Sequence, residues 1–402
     1  MPQATLTDFA ATKLLFDLPP GIIYLDGNSL GPLPKAAAAR VARTVTDEWG
    51  QMLITGWNKA GWMAQPRLLG DRIGRLIGAE AGHVVLGDTL SIKVYQALAA
   101  ALDLRPDRRV VLSDSGNFPS DLYMAEGLLR SLGPGYRLKI VAPQDLAAAI
   151  DETVAATLIT EVDYRTGRKH DMAALTGRAH AAGAVSVWDL AHSAGALPVD
   201  LAGTQADFAV GCTYKYLNAG PGGPAFIYVA PRHADRVRPA LSGWLGHAAP
   251  FAFELAYEPG TGIDRMRVGT PPILQLAALE AALDIWDMVD MQALRAASLA
   301  LSDQFIAAVE AACPDLSLAT PRDRALRGSQ VSFRHPEGYA IMQALIARGV
   351  IGDFRAPDIL RFGLTPLFIG AEEVARAVAH LAEIIDKGLW DRPDYRMRAL
   401  VT

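Results

Sequence analysis

The chain has 402 residues, 51% of them hydrophobic and 20% charged, which is material for a large core and roughly two or three domains. Its 38 Lys and Arg against 43 Asp and Glu leave a net charge of −5, which argues against a general nucleic-acid or anionic-membrane binder. The two cysteines, Cys212 and Cys313, form no CxxC or Cys/His cluster, so neither a disulfide scaffold nor a structural zinc site is supported. Two unpaired thiols fit a reducing, cytoplasmic compartment. The opening MPQATLTDFAATKLL lacks the long apolar run of a signal peptide, and apolar stretches elsewhere are too broken to span a bilayer.

In chain order, GIIYLDGNSLGPLPKAAAARVARTV reads as a short strand, a polar glycine turn and a helix, with Pro34 near the first helical turn. RLLGDRIGRLIGA is a second helical pattern. From there strands and helices alternate: HVVLGDT then SIKVYQALAAAL, RRVVLSD then SDLYMAEGLLRSL, RLKIVA, ATLITEVD then DMAALTGRAHAAG, and AVSVWDLA, DFAVGC and GGPAFIYVA. Short Val/Ile-rich runs separated by helices of about a dozen residues predict an α/β fold with a mostly parallel sheet covered on both faces. Beyond about residue 270 long helical patterns precede SQVSFRH, ILRFGL and a final helix EEVARAVAHLAEIIDK, which reads as a smaller α+β domain. The expected division is an N-terminal segment 1–50 packing with the small domain, a large domain 51–285 and a small domain 286–402.

The most informative stretch is SVWDLAHSAG followed by CTYKYLNAGPGG. Asp189 ends a Val-rich strand, and Lys215 follows after one more strand in an aromatic, glycine-rich turn. Ligands of open α/β sheets bind at strand ends. A lysine between Tyr214 and Tyr216 loses hydration, which frees its amine as a nucleophile. An acid for a protonated ring nitrogen and a lysine for an imine are the minimal apparatus for pyridoxal 5′-phosphate (PLP). Singly, such an Asp is most often a cap or turn residue and such a Lys a solvated charge. In GDTLSIKVY a helix opens directly after a strand, so its N–H groups with Ser91 and Thr89 suit a phosphate, although a simple N-cap needs the same residues. Phe118, in SDSGNFPSDLY, has its ring where a planar cofactor could stack, against the alternative of core packing.

The strings YLDGNSLGP, GWNKAGW, FPSD, VDYRTG, WDLAHSAG, CTYKYLNAGPGG, SGWLGH, GTPPIL and ILRFGLTPL occur in this order between about residues 24 and 367. In them the chain resembles the kynureninases, fold-type-I PLP enzymes related to the class V aminotransferases. The resemblance implies the PLP-dependent transferase fold of type I, with a seven-stranded type of sheet in the large domain. It also implies hydrolysis of L-kynurenine to anthranilate and L-alanine in tryptophan catabolism, by a homodimer with active sites at the interface. By position it makes Lys215 the imine-forming lysine, with Tyr214 available for acid/base work and phosphate binding, and Asp189 the pyridinium partner. It sets His192 beside the cofactor, Leu90, Ser91 and Trp244 at the phosphate, and Phe118 on the ring with Pro119, Ser120 and Asp121 completing that loop. Thr160 and Thr270 become further cofactor contacts, Arg361 the partner of the substrate α-carboxylate through its bidentate fork, Asn28 a substrate contact, and Trp57 the wall of the aryl slot. Eukaryotic relatives tend to carry histidine and asparagine at the Trp57 and Thr270 positions, so an indole and a short hydroxyl here favour kynurenine over its 3-hydroxy form.

The rivals are another class V enzyme, either an aminotransferase or a cysteine desulfurase, and a catalytically silent PLP-fold scaffold. A desulfurase needs a thiol on a mobile loop, and neither Cys212 nor Cys313 reads as one. No G-x-G-x-x-G in a dinucleotide-binding context, no GxxxxGK[ST] and no HExxH occurs.

Overall fold

Seven runs of Val, Ile, Leu and Phe form one sheet in a computed structural model that describes residues 7–398. Residues 1–6 of the N-terminal stretch and 399–402 of the C-terminal segment, both covered by the expectations above, lie outside the described residues. The strands are β1 (Val84–Leu86), β2 (Val110–Asp114), β3 (Arg137–Val141), β4 (Val154–Thr160), β5 (Val185–Asp189), β6 (Phe208–Gly211) and β7 (Phe226–Val229). Their order in the sheet is β1-β7-β6-β5-β4-β2-β3. Neighbours from β6 to β3 run parallel, while β7 is antiparallel to both β1 and β6. The reversal at β7 follows from its connection. Residues 212–225 hold no helix, and a parallel return needs a crossover. The turn carrying Lys215 therefore stays at the C-terminal end of β6.

Every residue of β2, β4, β5, β6 and β7 is buried, as a sheet covered on both faces requires. The edge strand β3 is partly exposed and carries Arg137 and Lys139, charges that discourage edge-to-edge pairing. Helices α1 (Leu90–Asp103) and α2 (Pro119–Leu132) follow β1 and β2. One face packs Val94, Leu98, Val111, Leu158, Val187 and Phe208 into a core. The other joins Trp188, Leu217 and Trp286 to a core continuing through Phe305, Phe333 and Phe362.

The C-terminal segment adds a second sheet of β8 (Ser317–Leu318), β9 (Gln330–Arg334), β10 (Asp353–Arg355) and β11 (Ile359–Gly363), antiparallel in the order β8-β9-β11-β10. The long helices Met291–Ala312 and Ala371–Asp386 bury their apolar faces in the shared core. The N-terminal segment is held at three places. Ile23–Tyr24 pairs in parallel with Val350–Ile351, Gly363 donates its N–H to Leu25 O, and Gly31 donates its N–H to Tyr214 O at 2.8 Å. A Cβ on Gly31 would lie 2.4 Å from Lys215 O, so only glycine lets the segment reach the lysine turn. Among the described residues no helix is long and apolar enough to cross a membrane, and no group of three or more His, Cys, Asp or Glu side chains could hold a metal.

Candidate active site

The parallel strands deliver their C-terminal residues to one rim. Thr160 and Asp189 lie opposite each other at the ends of β4 and β5, Asp114 ends β2, and the 212–225 turn leaves β6 beside them. The Lys215 ammonium points into this rim, where Nζ is 3.0 Å from His192 Nε2. Its Nζ is also 5.9 Å from the centroids of the Phe118 and Tyr214 rings. His192 Nδ1 faces Gln330 Oε1 at 2.9 Å. Gln330 Nε2 donates to the carbonyls of Asp163 and Tyr164, so its oxygen is the end left to accept. His192 accordingly carries its proton on Nδ1 and presents the Nε2 lone pair to Lys215. Burial first, then the positive charge of Lys215, push the imidazole well below its ordinary pKa, which keeps it neutral.

Asp189 is buried and accepts from Ala191 N–H at 2.9 Å and, more weakly, from the Thr160 hydroxyl at 3.4 Å. Burial raises its pKa and the Lys215 charge opposes the rise. Asp121 is buried as well, with Oδ2 lacking a partner. Burial and then the Asp189 charge push it well above the usual carboxylate range, again against Lys215. Two buried carboxyl groups thus share one ammonium, and a buried anion without enough donors is costly. A cationic ring nitrogen would supply the missing charge, so the donor set fits a protonated pyridine. Burial first, followed by Cys212, Asp189 and Asp121, holds the Tyr214 phenol above its ordinary pKa, so it is an O–H donor at neutral pH.

Two helix starts meet beside the Phe118 loop. α1 begins after Thr89 and α2 after Phe118, and neither cap residue makes a side-chain cap hydrogen bond. The first N–H groups of both helices are free of side-chain caps, and Ser91 Oγ and Ser120 Oγ meet at 3.2 Å between them. That is an anion cradle of the kind phosphates occupy. Leu90 and Pro119 are the first residues of their helices. The Phe118 loop is braced from below: His170 Nε2 meets Asp114 Oδ2 at 2.8 Å, Gly116 N–H donates to Asp114 Oδ1, and Phe118 N–H donates to Asn117 Oδ1. Phe118 packs edge-on to Tyr164 at 5.0 Å and is 42% exposed, so it is not a core side chain.

Arg361 is 1% exposed, so it is no surface salt bridge. Its fork is already spent. Nε and Nη2 grip the two oxygens of Asp353, Nη2 also donates to Ser29 Oγ at 2.6 Å, and Nη1 donates to Tyr164 O at 2.6 Å. Asp353 thus occupies the Nε–Nη2 edge of the fork expected to take a substrate carboxylate, and one N–H of Nη1 is left. Asn28 is fully buried against Gly363, and neither of its side-chain polar atoms has a partner.

Trp57 and Trp244 line a common cleft of about 300 Å³ with Ile54, Asn58, Met63 and Phe251. None of the residues around Lys215 lines it. Its surroundings expose Leu53, Ile54, Phe251, Phe253 and Leu255. Thr270 lines a small cavity with Gly87, Asp88, Lys93 and Arg267 at the start of α1. Cys212 and Cys313 are buried, and burial raises both thiols, Cys313 to about 11. Neither is a loop nucleophile. Asp353, Arg355, Ser29, Asp26 and Gln330 went unnoticed in the sequence. The charged positions within the short apolar run ILRFG and its neighbour DFR were the available signal, since a buried arginine needs a counter-ion nearby.

Sheet order and strand-end site together define the class: the PLP-dependent transferase fold of type I. The fold matches an apo cysteine desulfurase from Thermococcus onnurineus NA1 with a TM-score of 0.80 at 18% identity, covering 96% of this chain and 100% of that one. It also matches a cystine C–S lyase structure that carries glycine covalently linked to its PLP cofactor, with a TM-score of 0.77 at 19% identity over 90% of this chain and 97% of that one. Residues 294–381 match the family model of the kynureninase C-terminal domain. A kynureninase of Burkholderia pseudomallei (strain 1106a) is 53% identical over 394 residues, 96% of this chain and 95% of that protein. The chain belongs to the kynureninase family.

Proposed function

We propose that the protein hydrolyses the Cβ–Cγ bond of L-kynurenine, with PLP as its resident cofactor, giving anthranilate and L-alanine. The carrying observation is the pairing of family membership over 96% of the chain with an intact Lys215–His192–Asp189 arrangement at the strand ends. When bound, PLP supplies an aldehyde for imine formation and a cationic ring that withdraws electrons from Cα of an attached amino acid.

The residues of this chain do the rest. Lys215 would hold the cofactor through its amine and, once free, would move protons at Cα of the substrate. Neutral His192 orients that amine through Nε2. Asp189 would hold the ring nitrogen, with Thr160 and Asp121 assisting. Leu90 N–H, Ser91, Ser120 and the uncapped helix starts would hold the phosphate, joined by Tyr214, Trp244 and Thr270. Phe118 and Pro119 would pack against the ring. Water adds to the substrate γ-carbonyl, and the resulting diolate needs a hydrogen-bond donor, which the protonated Tyr214 phenol offers. The Cβ–Cγ bond then breaks: the carbonyl carbon leaves as the carboxylate of anthranilate, and Cβ takes a proton to become the methyl of alanine. Arg361 and Asn28 face the amino-acid end, and Trp57 the aryl end.

The finer reading is a cytoplasmic homodimer in tryptophan catabolism, divided into segment 1–50, large domain 51–285 and small domain 286–402. Buried free thiols fit the compartment, and the exposed apolar residues around the Trp57–Trp244 cleft fit a partner surface that completes the site. The indole at 57 and hydroxyl at 270 support a preference for kynurenine over 3-hydroxykynurenine. Incubation of the holoenzyme with each substrate tests both levels. Equimolar anthranilate and alanine, with the higher kcat/KM for kynurenine, is the expected result. Transamination products or no turnover would overturn the reaction, and equal or reversed kcat/KM would overturn the preference.

A further inference from the structure

The Asp353 carboxylate anchors two guanidiniums. Besides Arg361, Arg355 donates from Nη2 to Asp353 Oδ2 at 2.6 Å and to Ser29 Oγ at 3.2 Å. Each guanidinium has five N–H groups. Four of those on Arg361 are committed, leaving one on Nη1. On Arg355 two remain, Nε–H and one N–H of Nη1, whose other hydrogen goes to Phe354 O at 3.3 Å. The Arg361 side chain is 2% exposed and that of Arg355 32%. A carboxylate arriving from outside therefore meets one unspent donor on the buried arginine and two on its more accessible neighbour.

We propose that Arg355 is a second substrate-carboxylate residue, forming with Arg361 a two-guanidinium seat anchored on Asp353. The inference rests on the reading of Arg361 given above. Burial works against ionised Asp353, but the Arg361 charge and hydrogen bonds outweigh it and hold Asp353 below its ordinary pKa. Two guanidiniums face this one carboxylate, and the surplus positive charge suits an α-carboxylate.

The test uses holoenzyme of wild type, Arg355→Met and Arg355→Lys, with L-kynurenine kinetics and absorbance titrations with L-alanine and with ethylamine, which lacks the carboxylate. Arg355→Met should raise KM for L-kynurenine and Kd for L-alanine about ten- to a hundredfold. Its kcat should stay within about threefold and its ethylamine binding unchanged, and Arg355→Lys should recover part of the loss. Unchanged KM and L-alanine Kd in Arg355→Met, or an equal loss for ethylamine, would reduce Arg355 to a brace for Asp353. Failure of wild type to cleave L-kynurenine would instead sink the proposed function, and the L-alanine titration would still decide the role of Arg355.

Discussion

Lys215 Nζ and His192 Nε2 lie 3.0 Å apart, and the imidazole is the accepting partner. The tautomer is set from the four-stranded sheet, because Gln330 on β9 spends its amide nitrogen on two carbonyls and offers only oxygen to Nδ1–H. The orientation of a group against the reactive amine thus depends on a residue far from it in sequence. Gln330→Leu should leave Nδ1–H buried without an acceptor, which costs about 1–3 kcal/mol, and free the other tautomer. The expected outcome is a kcat about tenfold lower with cofactor affinity little changed, measured by steady-state kinetics beside absorbance titration. A wild-type kcat would show that the tautomer is immaterial.

Asp189 separates cofactor chemistry from folding. The protein buries its carboxyl group and raises its pKa, so a neutral amide of the same shape should fit the apo fold as well or better. Asp189→Asn should therefore keep or raise the melting temperature of apoprotein. In the holoenzyme it should lower kcat by about a hundredfold or more, because an amide stabilises a ring cation poorly. Thermal melts and kinetics of one preparation check both signs.

Phe118 is half exposed and touches Tyr164 by its edge, so the fold gains little from it. Phe118→Ala should change unfolding free energy by less than about 1 kcal/mol. Loss of a stacking face is worth about 0.5–1.5 kcal/mol, so the dissociation constant of PLP should rise up to about tenfold. Fluorescence titration of apoprotein with PLP measures it.

Burial and then the Asp353 charge raise the Asp26 pKa, which makes stability depend on pH. The folded chain holds this proton up to about pH 8, whereas an ordinary aspartate releases it near 3.8. Stability from this group is full below about pH 4 and is lost as pH rises toward 8. Asp26→Asn removes the loss. In urea unfolding of apoprotein, the variant should gain on wild type between pH 5 and pH 8 by on the order of 2–4 kcal/mol. A difference constant with pH would mean that Asp26 is ionised throughout.

Much of the fold was legible because its strands alternate with helices and end in Gly or Asp punctuation. The runs around Val111, Val187 and Phe208 became buried parallel strands. Asp189 and Lys215 could be read together because strand ends converge in space. Asp353–Arg355 was not legible, since a three-residue strand is defined by its partner β11 rather than by its own pattern. Nor could the sequence reveal that the Arg361 fork is occupied: an arginine is visible in a string, its partner only in a fold. Gln330 reads as one amide in a strand, and its grip on His192 exists only once the fold brings the two together.

The most direct measurement is reduction of the holoenzyme with borohydride, followed by proteolysis and mass mapping of the fixed cofactor. One pyridoxyl-modified lysine per chain is expected, at Lys215, with loss of both label and activity in Lys215→Ala. Label on any other lysine, or a Lys215→Ala variant that still turns over L-kynurenine, would contradict it.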